Sequence, residues 1–199
     1  MTTFSRMTAK VAILAAIALP QTAAQASDAD GNFALRGYGS RSCEMYLTEK
    51  SDAGHASQYG SWLMGYVTSR NRLQSDTFDI LPFTDGMVLL QAVSAVCADR
   101  KDQTVENATS EVIRAISPLH QRGASEAVTI ERGGQSVRIR QEAIAKLQAR
   151  LIQRGLYDGS ADGKWSEELA SAIQEFQLRE QIASTGLPDF ATLIRALVL

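Results

Sequence analysis

One short stretch of the chain gathers most of the groups that could hold a ligand. Tyr157, Asp158, Gly159, Asp162, Gly163 and Trp165 stand close together, combining aromatic rings, carboxylates and glycines. An aromatic face can stack on the apolar side of a sugar or lie under a peptide. Carboxylates accept hydrogen bonds from hydroxyls and amides, and glycines let a backbone approach closely. The set suits a ligand rich in hydroxyls and amides. The same residues also permit a structural reading, with Tyr157 and Trp165 in a core and the aspartates forming turns. Trp165 fits a core position better than an exposed one. For Asp158 and Asp162 both readings stay open.

Other chemistries are poorly served. Asp158-x-Ser160-x-Asp162-Gly163 matches the first half of a calcium-binding EF-hand loop, but the twelfth position, where a bidentate Glu belongs, holds Leu169. With 2 His and 2 Cys, the chain has too few ligands for a standard four-ligand zinc site plus anything else. His55 lies in a Gly/Ser/Ala-rich stretch and His120 follows Pro118-Leu119. No G-x-S-x-G or H-E-x-x-H motif accompanies them. No pair of carboxylates stands out for cleaving a glycan. The reading is non-catalytic, with no cofactor and no metal.

The two cysteines, Cys43 and Cys97, are not in a C-x-x-C arrangement. Their chemistry depends on the compartment, and the N-terminus speaks to that. Arg6 and Lys10 precede an apolar run from Val11 to Leu19; Pro20 breaks it, and Ala24-Gln25-Ala26 supplies a small-x-small pattern. These are the three regions of a secretory signal peptide, predicting cleavage after Ala26. The apolar run is too short to span a bilayer, which needs about 20 residues, and Ser27 leaves no cysteine for a lipid anchor. The expected location is the periplasm or another secreted compartment, where a structural Cys43–Cys97 disulfide is favoured. That bond also removes the free thiol that cysteine catalysis would require.

Composition agrees with a globular protein. The 199 residues are 45% hydrophobic and 21% charged, with a formal net charge of −2 and a mean hydropathy of −0.12. No surplus of positive charge points to nucleic acid.

The elements that would position these groups are mostly helical. After a polar lead-in over 27–37, residues 38–119 read as a disulfide-stapled helical domain. Tyr59, Trp62, Leu63, Tyr66 and Val67 fall on one helical face. A dense apolar stretch runs from Met87 to Cys97, and Val105, Ala108, Val112 and Ile116 form a further stripe. A short helix is expected around Cys43, so the disulfide would tie the first helix to the third. Residues 120–138 form a linker or hairpin. Around Gly133-Gly134 the apolar residues alternate, and closing a turn there pairs Ile130 with Val137 and Val128 with Ile139. Residues 139–199 carry three stripes: Ile144, Leu147 and Leu151; Leu169, Ala172, Ile173 and Phe176; and Phe190, Leu193, Ile194 and Leu197. Ser166 is suited to cap the second of these helices, and Pro188 and Asp189 suit the first turn of the third. The fold class is all-α for the most part, with a short β-hairpin at 128–139.

The landmarks of the last segment come in a familiar order. Leu147-Gln148-x-x-Leu151 leads to Gly155-Leu156-Tyr157-Asp158-Gly159, then Asp162-Gly163-Lys164-Trp165, Ala172-Ile173-x-x-Phe176-Gln177 and Thr185-Gly186-Leu187-Pro188-Asp189. This resembles the peptidoglycan-binding domain family, a three-helix module often appended to cell-wall hydrolases, over about 139–198. The resemblance implies peptidoglycan as partner, with Tyr157, Asp158, Gly159, Asp162, Gly163, Trp165 and Gln177 as binding residues. Ser166 and Leu169 depart from the family's usual Gly and Thr, which bears on affinity more than on fold. Ser42-Cys43-Glu44, Trp62-Leu63-x-Gly65-Tyr66 and Val96-Cys97 carry a looser resemblance of 38–118 to HdeA-like disulfide-stapled periplasmic domains, which implies a protein partner for the first half. It carries the alternative function, a periplasmic chaperone or immunity-type protein.

Overall fold

The computed structural model describes residue 28 and residues 30–199. The expected signal peptide and cleavage point lie outside the described residues. Two units are present, residues 1–34 and 35–199. In the first, the Asp28 carboxylate accepts hydrogen bonds from the N–H groups of Asp30 and Asn32, at 3.0 and 2.8 Å. All that follows concerns the second.

Four helices make up its first half: α1 (Cys43–Glu49), α2 (Ala53–Leu73), α3 (Met87–Asp99) and α4 (Val105–Ala115). Each start has a local cause. Ser42, Asp52 and Thr104 cap α1, α2 and α4 by accepting from N–H groups three residues on, which satisfies donors a helix leaves unpaired. Tyr59, Leu63 and Val67 form the buried stripe of α2, with Trp62 and Tyr66 half-buried beside them. Tyr59 meets Tyr46 and Tyr38 edge-on, with ring centroids 4.7 Å apart in both cases. The Cys43–Cys97 disulfide joins α1 to α3, as the sequence predicts, with the two Cα atoms 4.9 Å apart.

A hairpin follows, β1 (Ala127–Arg132) and β2 (Gln135–Arg140), antiparallel in the register expected: Ile130 opposite Val137 and Val128 opposite Ile139. Its turn residues Gly133 and Gly134 both have positive φ, 58° and 75°, the geometry that a two-residue hairpin turn demands. Ile130 and Ile139 point into the core. Three helices complete the chain: α5 (Gln141–Gln153), α6 (Glu167–Arg179) and α7 (Phe190–Leu197). Their expected stripes are buried or packed against the core.

Residues 74–86 depart from the helical reading. They are not helical, because Pro82 cannot continue a helix and biases its predecessor toward an extended form. Ile80, Leu81, Pro82 and Phe83 are all buried. This strap is where the two halves meet. Phe83 bridges to Ile139 and Asp79 to Gln121, and the Phe83 ring lies 6.3 Å from that of Phe190 on α7. Arg140 is the polar hub. Its guanidinium grips the Asp79 carboxylate through Nη2 at 2.9 Å and Nε at 3.2 Å, donates to the Ser125 carbonyl at 3.1 Å, and sits over the Phe78 ring. Its backbone N–H donates to the Pro82 carbonyl at 2.9 Å. A paired, half-buried charge of this kind fixes how the two segments meet more than it adds net stability.

Candidate functional site

The loop between α5 and α6 is held from below by one side chain. Gln148 on α5 is wholly buried. Its Oε1 accepts from the Gly163 N–H at 2.7 Å, and its Nε2 donates to the Lys164 carbonyl at 3.0 Å and to Asp162 Oδ1 at 3.2 Å. Gly163 must be glycine here. Its φ is +76°, and a Cβ would lie 2.6 Å from the Gln141 carbonyl oxygen. Asp162 also accepts from the Lys164 N–H at 3.0 Å. That bond, with the Gln148 amide, holds its carboxyl below the usual carboxylate range against the opposing pull of burial.

The same device recurs after α6. Gln177 is wholly buried. Its Oε1 accepts from the Gly186 N–H at 2.8 Å. Its Nε2 faces Thr192 Oγ1 at 2.7 Å, Thr185 Oγ1 at 3.0 Å and the Leu187 carbonyl at 3.1 Å. α5 and α6 thus each carry, beside the apolar stripe, a buried glutamine whose amide pairs with the backbone of the next loop at a glycine. Ser166 and Asp189, three residues after those glycines, then cap α6 and α7 by accepting from Leu169 N–H at 3.1 Å and Thr192 N–H at 2.9 Å.

The outer side of this scaffold carries a groove of about 560 Å³. One wall is Leu156, Tyr157, Asp158 and Gly159; the other is the α6 stripe Glu168, Ser171, Ala172 and Glu175. Those four helical residues are spaced i, i+3, i+4 and i+7, which sets them on one face. Tyr157 is half-buried and lies back across Gly159, whose missing side chain makes the room: a Cβ there would fall 2.3 Å from the phenol oxygen. Asp158 and Glu168 are exposed. Hydrogen bonds with its own N–H and with Ser166 hold the Glu168 carboxyl below the usual range. Glu175 pairs with Arg179, one turn on.

Of the residues singled out from sequence, Tyr157, Asp158 and Gly159 line the groove. Asp162, Gly163 and Gln177 belong to the two glutamine networks, and Trp165 packs half-buried against the core. Ser166 caps α6 and Leu169 is wholly buried, so neither residue lines the groove. Glu168, Ser171 and Glu175 escaped the sequence reading because they look like an ordinary solvated helix face. Their stripe, one position off the apolar stripe, is the signal that could have found them.

Elsewhere each histidine has a side-chain partner at Nδ1. The His55 Nδ1 is 3.2 Å from the Tyr38 hydroxyl, and His120 Nδ1 is 3.0 Å from the Gln74 amide. Burial pushes the His120 imidazole below its ordinary value, with the nearby Lys146 and Arg70 charges adding to the effect and a hydrogen bond with Ile113 opposing it. Among the described residues, no His, Cys, Asp or Glu side chains gather in threes as a metal would require, and no helix is long and apolar enough to cross a membrane.

Comparison with known proteins bears on the region that holds the groove. Residues 140–195 match the family described as "Putative peptidoglycan binding domain". No curated protein and no solved structure matches the chain.

Proposed function

We propose that the protein binds peptidoglycan without acting on it, and that its C-terminal segment 139–199 holds the disulfide-bonded first half at the cell wall. The family match to residues 140–195 carries this reading. The groove beside α6 lies within that match and supplies a concave surface with an aromatic and several hydrogen-bonding groups, features typical of ligand sites. In the first half both cysteines are held in the disulfide, and His55 Nδ1 meets the Tyr38 hydroxyl. Export by the N-terminal signal, with removal after Ala26, is part of the proposal, as is recruitment of a periplasmic protein by the first half.

The test is co-sedimentation of the chain from Ser27 onward with purified, protein-free peptidoglycan. Ser171→Trp, which fills the groove from an exposed position, serves as the control. Binding of the parent and its loss in Ser171→Trp is the expected result. Failure of the parent to sediment refutes the proposal; equal sedimentation of both refutes the groove as the place of binding.

A further inference from the structure

The groove has a charge character that the family match does not specify. Three of its eight lining residues are acidic, Asp158, Glu168 and Glu175, and none is basic. Glu175 is compensated by Arg179, which lies outside the lining. Asp158 and Glu168 face the groove without an ion pair among the described residues. Their position across the groove from each other, with one on the loop and one on the helix, focuses negative potential between the walls.

Peptidoglycan offers such a field a limited choice. Its acetylated sugars are neutral, its stem-peptide carboxylates would be repelled, and its free primary amines are cations. The dimensions add to this. Glu168 and Glu175 are seven helical residues apart, about 10 Å along the axis, and an extended peptide covers that length in about three residues. Ser171 and Ala172 keep the wall between the two acids low, leaving room for a backbone to lie along it.

We infer that the groove between residues 156–159 and α6 recognises a primary ammonium group on a short extended stem peptide of peptidoglycan, with Asp158 and Glu168 as its counter-charges. The inference rests on the peptidoglycan reading above and narrows it to a chemical group.

The experiment uses the chain from Ser27 onward and three preparations: native sacculi, sacculi with free amines acetylated, and glycan strands stripped of peptide by an amidase. Strong binding to native sacculi, about tenfold weaker binding after acetylation, and equally weak binding to the stripped strands are expected. The Asp158→Asn/Glu168→Gln variant, changed only at exposed positions, should bind native sacculi about tenfold more weakly and lose its sensitivity to acetylation. Unchanged binding after acetylation overturns the inference while leaving peptidoglycan binding intact. Undiminished, acetylation-sensitive binding to stripped strands overturns it too, by assigning the ammonium to de-acetylated sugars. No binding to native sacculi removes the underlying reading together with the inference.

Discussion

Replacing Gln177 by alanine separates a residue that builds the site from one that touches ligand. In the folded protein the amide is wholly buried and occupied on both sides: Oε1 takes the Gly186 N–H, and Nε2 is shared among Thr185, Leu187 and Thr192. Removing it leaves the Gly186 N–H, at a buried position, with no partner. An orphaned buried donor costs about 1–3 kcal/mol. Truncating a wholly buried side chain adds a cavity cost of about 2 kcal/mol. The Leu187 carbonyl keeps the Thr192 hydroxyl at 3.4 Å, so its share of the loss is small. The expected total is about 3–5 kcal/mol, a large part of the 5–15 kcal/mol typical of a domain. Gln177→Leu, which refills the volume but pairs nothing, should recover the cavity part only. Urea titration is the assay, followed by the fluorescence of Trp62 and Trp165, one in each half. Peptidoglycan binding, measured below the onset of unfolding, should stay near the parental level in both variants. A loss under 1 kcal/mol in Gln177→Ala, or loss of binding at unchanged stability, would refute the reasoning.

Three further outcomes are expected. Replacing Cys43 and Cys97 together by serine opens a loop spanning 54 positions and should cost roughly 4 kcal/mol on the chain-entropy account, seen as a lower urea midpoint. Gly163→Ala combines a left-handed φ with a clash against a backbone oxygen, and a loss of about 2 kcal/mol or more is expected in the same titration. His120 has a folded pKa below its unfolded value of 6.5 because burial disfavours its charged form. The unfolded chain therefore takes up the proton first. Stability from this group is complete above pH 6.5 and falls as the pH drops from there through the lowered folded value. His120→Gln should flatten that part of the stability-versus-pH curve; an unchanged slope counts against the assignment.

What the sequence conveyed depended on whether a residue's role had a period. The helix stripes and the hairpin register could be read because burial alternates with the geometry of the element. Ser166 could be read as a cap because capping is local; Asp189, expected inside the first turn of α7, is instead its cap. Ile80-Leu81-Pro82-Phe83 could not, since a continuous apolar run has no period and its partners, Ile139 and Phe190, are distant in sequence. Gln148 and Gln177 were visible as landmarks, but polar residues suggest exposure until the structure shows which backbone groups they satisfy. Half of the groove was legible, the loop wall with its unusual composition. The α6 wall was not, because Glu168, Ser171 and Glu175 differ from any solvated helix face only in what lies opposite them.

Arg140 begins the matched segment, yet four of its contacts go to Asp79, Phe78, Pro82 and Ser125, all outside it. A module hung on a loose linker would leave the first half free to swing through a wide volume around its anchor point. Here the strap and the guanidinium make a bracket. Any surface that fixes α6 in three dimensions also sets the tilt and facing of the Cys43–Cys97 half, so one attachment settles orientation as well as place. A partner approaching along that surface would meet the same face of the first half every time.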